Sequence, residues 1–174
     1  TKQEVSFNIS QAPIETLKAK LYSGSLDIAF LDESLSDADL GSLPCWTQEL
    51  CLIVNKRHPL AKQNTVSLDD LKGHYLISYD LNEPLGKTLA SLIDGKPLQV
   101  GYRYKDEITL ASIVLANPDV MALSCQSWLL KAYTDEVRFL SVEEAPKDFR
   151  QLYIVYRLSA LQNEAVCEFL ELAK

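Results

Sequence analysis

Short apolar runs alternate with stretches of helical period along almost the whole chain, and this alternation constrains the fold more than any other feature. A strand, a helix and a second strand in succession cannot close as a hairpin. They need a crossover connection, the unit from which parallel sheets are built. The chain opens this way. Val5, Phe7 and Ile9 alternate with Ser6, Asn8 and Ser10, predicting a strand over Val5–Ser10. A helix follows from Pro13 to Ser23, with Pro13 in its first turn, Gly24 past its end, and Ile14, Leu17, Leu21 and Tyr22 as the buried stripe. Leu26–Phe30 is the next strand.

A polar connection, Asp32–Gly41, leads to strands at Leu43–Trp46 and Glu49–Asn55, a loop at Arg57–Leu60, a short helix Leu68–Leu71 capped by Ser67, and a strand Tyr75–Tyr79. The second half repeats the alternation: a helix Pro84–Leu92 closed by Gly95, a strand Leu98–Tyr104, and a helix from Asp106 or Thr109 to Ala116. Then come a strand Val120–Cys125, a short helix Gln126–Ala132, strands Val137–Val142 and Leu152–Tyr156, and a last helix Leu161–Ala173. In that helix Ala165, Val166, Phe169, Leu170 and Leu172 are available for burial. The pattern alone gives an α/β architecture.

Charge and motif content exclude several functions. With 17 Lys and Arg against 24 Asp and Glu, the net charge is −7, and no basic run exceeds Lys56-Arg57-His58. Phosphate neutralisation supplies most nucleic-acid affinity, so this chain is not expected to grip DNA by itself. No apolar stretch approaches the roughly 20 residues that span a bilayer, and Thr1–Val5 is not a signal peptide. Cys45, Cys51, Cys125 and Cys167 form no C-x-x-C pair. They read as buried free thiols in a reducing compartment, and the expected location is the cytoplasm. His58 and His74 lack metal-ligand spacing, so no metal or other cofactor is expected. No G-x-S-x-G, H-E-x-x-H or P-loop is present, so the chain reads as no enzyme.

Several segments, in order and spacing, resemble the effector-binding domain of LysR-type transcriptional regulators. Leu21-Tyr22-Ser23-Gly24-Ser25-Leu26-Asp27-Ile28-Ala29-Phe30 is similar to the family's L-x-x-G-x-L-D-L-A-I stretch. Leu50–Asn55 followed by His58-Pro59-Leu60-Ala61 is similar to its strand and His-Pro-Leu-Ala turn. Val66–Leu71 followed by Tyr75–Ser78 continues the match, and Ile113–Ala116 with Val120–Leu123 extends it more loosely.

The resemblance implies a two-lobe fold like type II periplasmic binding proteins, each lobe a mixed, mostly parallel sheet flanked by helices, with a ligand cleft between lobes. Lobe I would hold residues 1–79 and 149–174, and lobe II residues 80–148. The family's domain normally opens with a strand and a helix ahead of the one at Val5, and this sequence has neither. Asn117-Pro118-Asp119 stands where the family often has Gly-x-Gly, and Cys125-Gln126 where Pro-Glu is common. The resemblance further implies a small-molecule effector, a homodimer using the Pro13–Ser23 and Ile108–Ala116 helices, and DNA contact only through an N-terminal helix-turn-helix domain absent from this sequence.

Ligands of open α/β sheets bind beyond the carboxyl ends of strands, near helix N-termini. That rule selects Ser10 and Gln11, Ser78 and Tyr79, Lys105 and Asp106, and Ser124 as effector-binding residues, with Asp80, Lys87, Glu107 and Cys125 close by in sequence. An anionic effector would be met by Lys105 or Lys87. Ser10 and Asp106 have an alternative role as helix caps, and Tyr79 as a packing residue. Three other functions suit the same fold: a stand-alone solute-binding protein, a thiol-based redox regulator using a pair such as Cys45 and Cys51, and an enzyme.

Overall fold

The alternating pattern resolves, in a computed structural model describing residues 5–80 and 82–173, into nine strands and four α-helices among the described residues. In chain order they are α1 (Ile14–Ser23), β1 (Ile28–Leu31), β2 (Leu40–Gln48), β3 (Leu50–Asn55), β4 (Thr65–Val66), β5 (Tyr75–Tyr79), α2 (Pro84–Ile93), β6 (Val100–Tyr104), α3 (Glu107–Ala116), β7 (Val120–Cys125), β8 (Val137–Val142), β9 (Arg150–Arg157) and α4 (Glu164–Leu172). Single turns of 3₁₀-helix occupy Pro59–Lys62, Leu68–Leu71, Trp128–Tyr133 and Leu158–Gln162. The expected helices at Leu68 and Gln126 are therefore 3₁₀ turns, the second starting at Trp128.

The chain divides into two compact units, residues 1–46 with 151–174 and residues 47–150. This differs from the expected boundaries near 79 and 149, and the sheet pairing is the reason. β3 hydrogen-bonds to β7 and β8, and β5 to β6 and β7, so residues 47–79 are built into the same sheet as residues 80–148. A strand belongs to the unit that holds its ladder partners, which periodicity along the sequence does not reveal.

The second unit is a six-stranded sheet in the order β4-β8-β3-β7-β5-β6. β5 runs parallel to both β6 and β7, and β4 parallel to β8, while β3 is antiparallel to both its neighbours. All six residues of β3 are buried, as a central strand covered on both faces requires. Leu52, Ile53, Leu76, Ile77, Met121 and Leu123 fill the core, and Leu110, Ala111 and Val114 of α3 pack onto it. Local chemistry fixes the turns. Ser67 and Asp70 form a reciprocal capping box, and Asp106 caps α3 through the Thr109 N–H at 2.7 Å.

The first unit carries a three-stranded sheet, β1-β9-β2, with β1 antiparallel to β9. Leu21, Ala29, Leu31, Leu40 and Val155 form one core cluster, and Ile154, Ala160, Val166 and Leu170 another. α1 ends at Gly24, whose φ of 78° closes the helix in the left-handed region. Two expected core positions are on the surface. Tyr22 is 52 % exposed, its hydroxyl donating to Asp37 Oδ2 at 2.6 Å, and Leu172 is 89 % exposed.

The predicted strand at Val5–Ser10 does not form. Those residues have no regular secondary structure, and Phe7 and Ile9 are 68 % and 90 % exposed. Alternation specifies which side chains share a face, but a strand also needs a neighbour to complete its ladder, and Val5–Ser10 has none among the described residues.

Candidate functional site

In the second unit β5 and β7 run parallel and end side by side, and α3 begins close to them. This brings the last residue of β5, Tyr79, together with Ser124 near the end of β7 and Glu107 in the first turn of α3. The Tyr79 ring is 2 % exposed. Its hydroxyl accepts the Cys125 backbone N–H at 2.7 Å and lies 3.1 Å from both Ser124 Oγ and Glu107 Oε1. Burial pushes the Tyr79 hydroxyl well above the usual tyrosine range, and the neighbouring Cys125 and Glu107 side chains reinforce the shift. A neutral tyrosine therefore sits in this network at any physiological pH.

Glu107 also meets Arg150, Nη1 to Oε1 at 3.2 Å, and the same Nη1 donates to Gln48 Oε1 at 2.9 Å. The pair is sheltered, with side chains 22 % and 15 % exposed for arginine and glutamate. A charge pair of this kind holds geometry more reliably than it adds stability. Polar groups thus run continuously from the ends of β5 and β7 to Gln48 and Arg150.

The residues selected from sequence fall into three groups. Tyr79, Ser124 and Ser78 cluster at the strand ends and all three are buried; Ser78 Oγ donates to Leu123 O at 2.8 Å, a cross-strand tie that keeps it out of the Tyr79 network. Asp106 is engaged as the α3 cap, accepting from Thr109 N and Oγ1. Lys105 is 74 % exposed, with its Nζ 3.5 Å from Glu83. Ser10 and Gln11 lie in the first unit, both exposed, ahead of α1. Ser10 does not cap that helix, whose N-cap is Pro13.

Gln48 and Arg150 carry no sequence signal of their own: each lies among polar residues at the end of a strand. Glu107 follows Asp106 and reads in sequence as an ordinary acid in a first helical turn. Only the parallel return of β7 beside β5 shows what it faces.

The thiols divide by face. In the β3–β7 register Cys51 is opposite Ser124 and Cys125 opposite Leu50, so the side chains of Cys51 and Cys125 are on opposite faces of the sheet. Burial pushes the Cys51 thiol far above the usual range, and its Sγ donates to Ser124 O at 3.2 Å. These two groups do not have the geometry of a disulfide.

His58 and His74, 16 positions apart in sequence, lie side by side in the second unit. Their rings meet edge-on with centroids 5.3 Å apart, and His58 Nδ1 accepts the Leu60 N–H. No group of three or more His, Cys, Asp or Glu residues able to hold a metal occurs among the described residues. A cavity of about 330 Å³ lies in the first unit, lined by Tyr22, Gly24, Asp39, Arg157 and Ser159 among others, and contains none of the expected site residues.

The family model of the LysR substrate-binding domain matches residues 2–174. The chain belongs to this family. The HTH-type transcriptional regulator YybE of Bacillus subtilis is 26 % identical over 121 residues, covering 68 % of the chain and 41 % of that protein. The cofactor-binding domain of the Cbl transcriptional regulator superposes with a TM-score of 0.76 at 19 % identity, over 95 % of the chain and 73 % of that structure. The effector-binding domain of QuiR in complex with shikimate superposes with a TM-score of 0.67 at 23 % identity, over 85 % of the chain and 70 % of that structure. The LysR domain therefore has the type II periplasmic-binding-protein-like fold. The chain spans less than half the length of the YybE regulator it matches. No helix among the described residues is long and apolar enough to cross a membrane.

Proposed function

We propose that this LysR domain is the effector sensor of a transcriptional regulator, binding a small polar metabolite at the carboxyl ends of β5 and β7. The convergence of Tyr79, Ser124 and Glu107 at those strand ends carries this reading, because open α/β sheets bind ligands there. Lys105 and Asp106 border the same ends. Ser10 and Gln11 are proposed as further effector contacts.

The charge around the site narrows the chemistry. Lys105 is accompanied by Glu83, and Arg150 by Glu107. A multiply charged anion would face as many carboxylates as cations. A hydroxylated metabolite with one carboxylate suits the set better, its hydroxyls meeting Tyr79 and Ser124 and its carboxylate Lys105. Shikimate, the ligand of QuiR, has this chemistry and is the natural first probe.

In the whole protein an N-terminal helix-turn-helix domain reads DNA, two copies associate through α1 and α3, and the protein works in the cytoplasm by binding rather than by catalysis. Ligand shifts the population between two arrangements of the dimer and so changes DNA binding. A stand-alone solute-binding protein is the alternative, and the upstream gene sequence separates them: a helix-turn-helix supports the regulator, a signal peptide the transporter. The direct test is a thermal-shift screen with shikimate and a panel of hydroxy acids. Ligand that binds only the folded state raises the melting temperature by mass action, and Ser124→Ala is expected to weaken that shift.

A further inference from the structure

The hydrogen-bonded chain at the strand ends also reaches the two places where the polypeptide passes between units. Residue 47 opens the second unit and residue 150 closes it. Gln48 is the last residue of β2 and Arg150 the first of β9, so one lies at the incoming and the other at the outgoing end of the second unit. One guanidinium nitrogen, Arg150 Nη1, holds both crossovers together by donating to Gln48 Oε1 at 2.9 Å and meeting Glu107 Oε1 at 3.2 Å. Glu107 Oε1 is also 3.1 Å from the Tyr79 hydroxyl. A single carboxylate oxygen therefore stands between the proposed ligand site and the crossover strands.

We propose that Glu107 is the positioning residue that couples the strand-end site to the crossover strands, through Tyr79 on one side and through Arg150 and Gln48 on the other. This deepens the effector-sensing reading by assigning its relay and rests on that reading for its biological role. The coupling itself exists without ligand. A ligand that draws the Tyr79 hydroxyl or the Glu107 carboxylate toward itself loosens the Arg150 contact and frees both crossovers together. The sheltered position of the pair favours this role, because partly desolvated hydrogen bonds polarise one another.

Hydrogen–deuterium exchange on the full-length protein without ligand tests the coupling separately from any effector. Glu107→Ala is expected to speed exchange about tenfold in peptides covering residues 46–50 and 148–152, with Glu107→Gln falling between it and wild type. Tyr79→Phe, which touches neither crossover residue, is expected to speed the same peptides. Tyr79→Phe combined with Glu107→Ala is expected to be no faster than Glu107→Ala alone, since both act through one link.

Exchange at Leu52–Val54 in the centre of β3 is expected to stay at the wild-type rate. The proposal is overturned if Tyr79→Phe leaves the crossover peptides unchanged, if the two substitutions multiply as independent effects, or if the increase spreads equally over β3. A failed ligand screen alongside a positive exchange result would remove the effector reading and leave the coupling standing.

Discussion

Replacing Tyr79 by Phe removes one oxygen atom from a site where the packing is otherwise unchanged. The ring is 2 % exposed, so phenylalanine keeps its van der Waals contacts. What is lost is the acceptor for the Cys125 N–H at 2.7 Å and the contacts to Ser124 Oγ and Glu107 Oε1 at 3.1 Å. A buried hydrogen bond contributes about 1 kcal/mol net, and one to a charged group somewhat more, so the loss is about 2 kcal/mol. For a domain of this size that lowers the melting temperature by about 4–8 °C.

The same substitution has a pH signature. Folding raises the hydroxyl pKa, so the unfolded chain loses this proton first. The contribution of the Tyr79 hydroxyl is therefore complete below the unfolded value of about 10 and is lost as pH rises beyond it. Differential scanning calorimetry of both proteins between pH 7 and 11 is expected to show the full difference up to about pH 10 and a shrinking one above it. A melting change below about 1 °C at neutral pH, or a difference that stays constant to pH 11, would refute the hydrogen-bond account of this site.

Two further predictions concern the imidazole pair and the thiols. Burial, reinforced by the neighbouring His74, lowers the His58 pKa, and the neutral ring caps the 3₁₀ turn at Pro59 through Nδ1. Its stabilisation is present above the unfolded value of about 6.5 and lost as pH falls through the lowered folded value. His58→Asn is accordingly expected to flatten the acid limb of a stability–pH profile, and identical limbs for the two proteins would show that His58 does not titrate there. Cys51 and Cys125 are expected to stay reduced under mild peroxide in the native state, because they lie on opposite faces of the sheet. Non-reducing peptide mass spectrometry that finds them joined would contradict this register-based expectation and favour the redox-regulator alternative.

Much of this fold was legible in the sequence because many of its elements obey local rules. β3 is an unbroken apolar run, Asp106 and Ser67 cap what they were expected to cap, and Gly24 closes α1. The unit boundary was not legible, since it depends on which strands share a ladder. Val5–Ser10 has the right alternation for a strand but no partner among the described residues. At the proposed site, the rule that ligands sit at the carboxyl ends of strands selected Tyr79 and Ser124, whose hydroxyls the structure brings within 3.1 Å of each other. Ser78, one residue earlier, points the other way and is used up on Leu123 O. Arg150 and Gln48 were missed because the contacts that tie them in, Arg150 to Glu107 and Arg150 to Gln48, span 43 and 102 residues of sequence. Polar residues at strand ends carry no periodic signal.

The central claim is that a small metabolite binds where Tyr79, Ser124 and Glu107 converge. Isothermal titration of a hydroxy acid that raises the melting temperature, shikimate first, tests this most directly when wild type and Ser124→Ala are compared. The account predicts saturable one-site binding that Ser124→Ala weakens about tenfold, the loss expected for one buried hydrogen bond to ligand. Equal affinity for both proteins would place the ligand elsewhere and contradict the site proposed at the ends of β5 and β7.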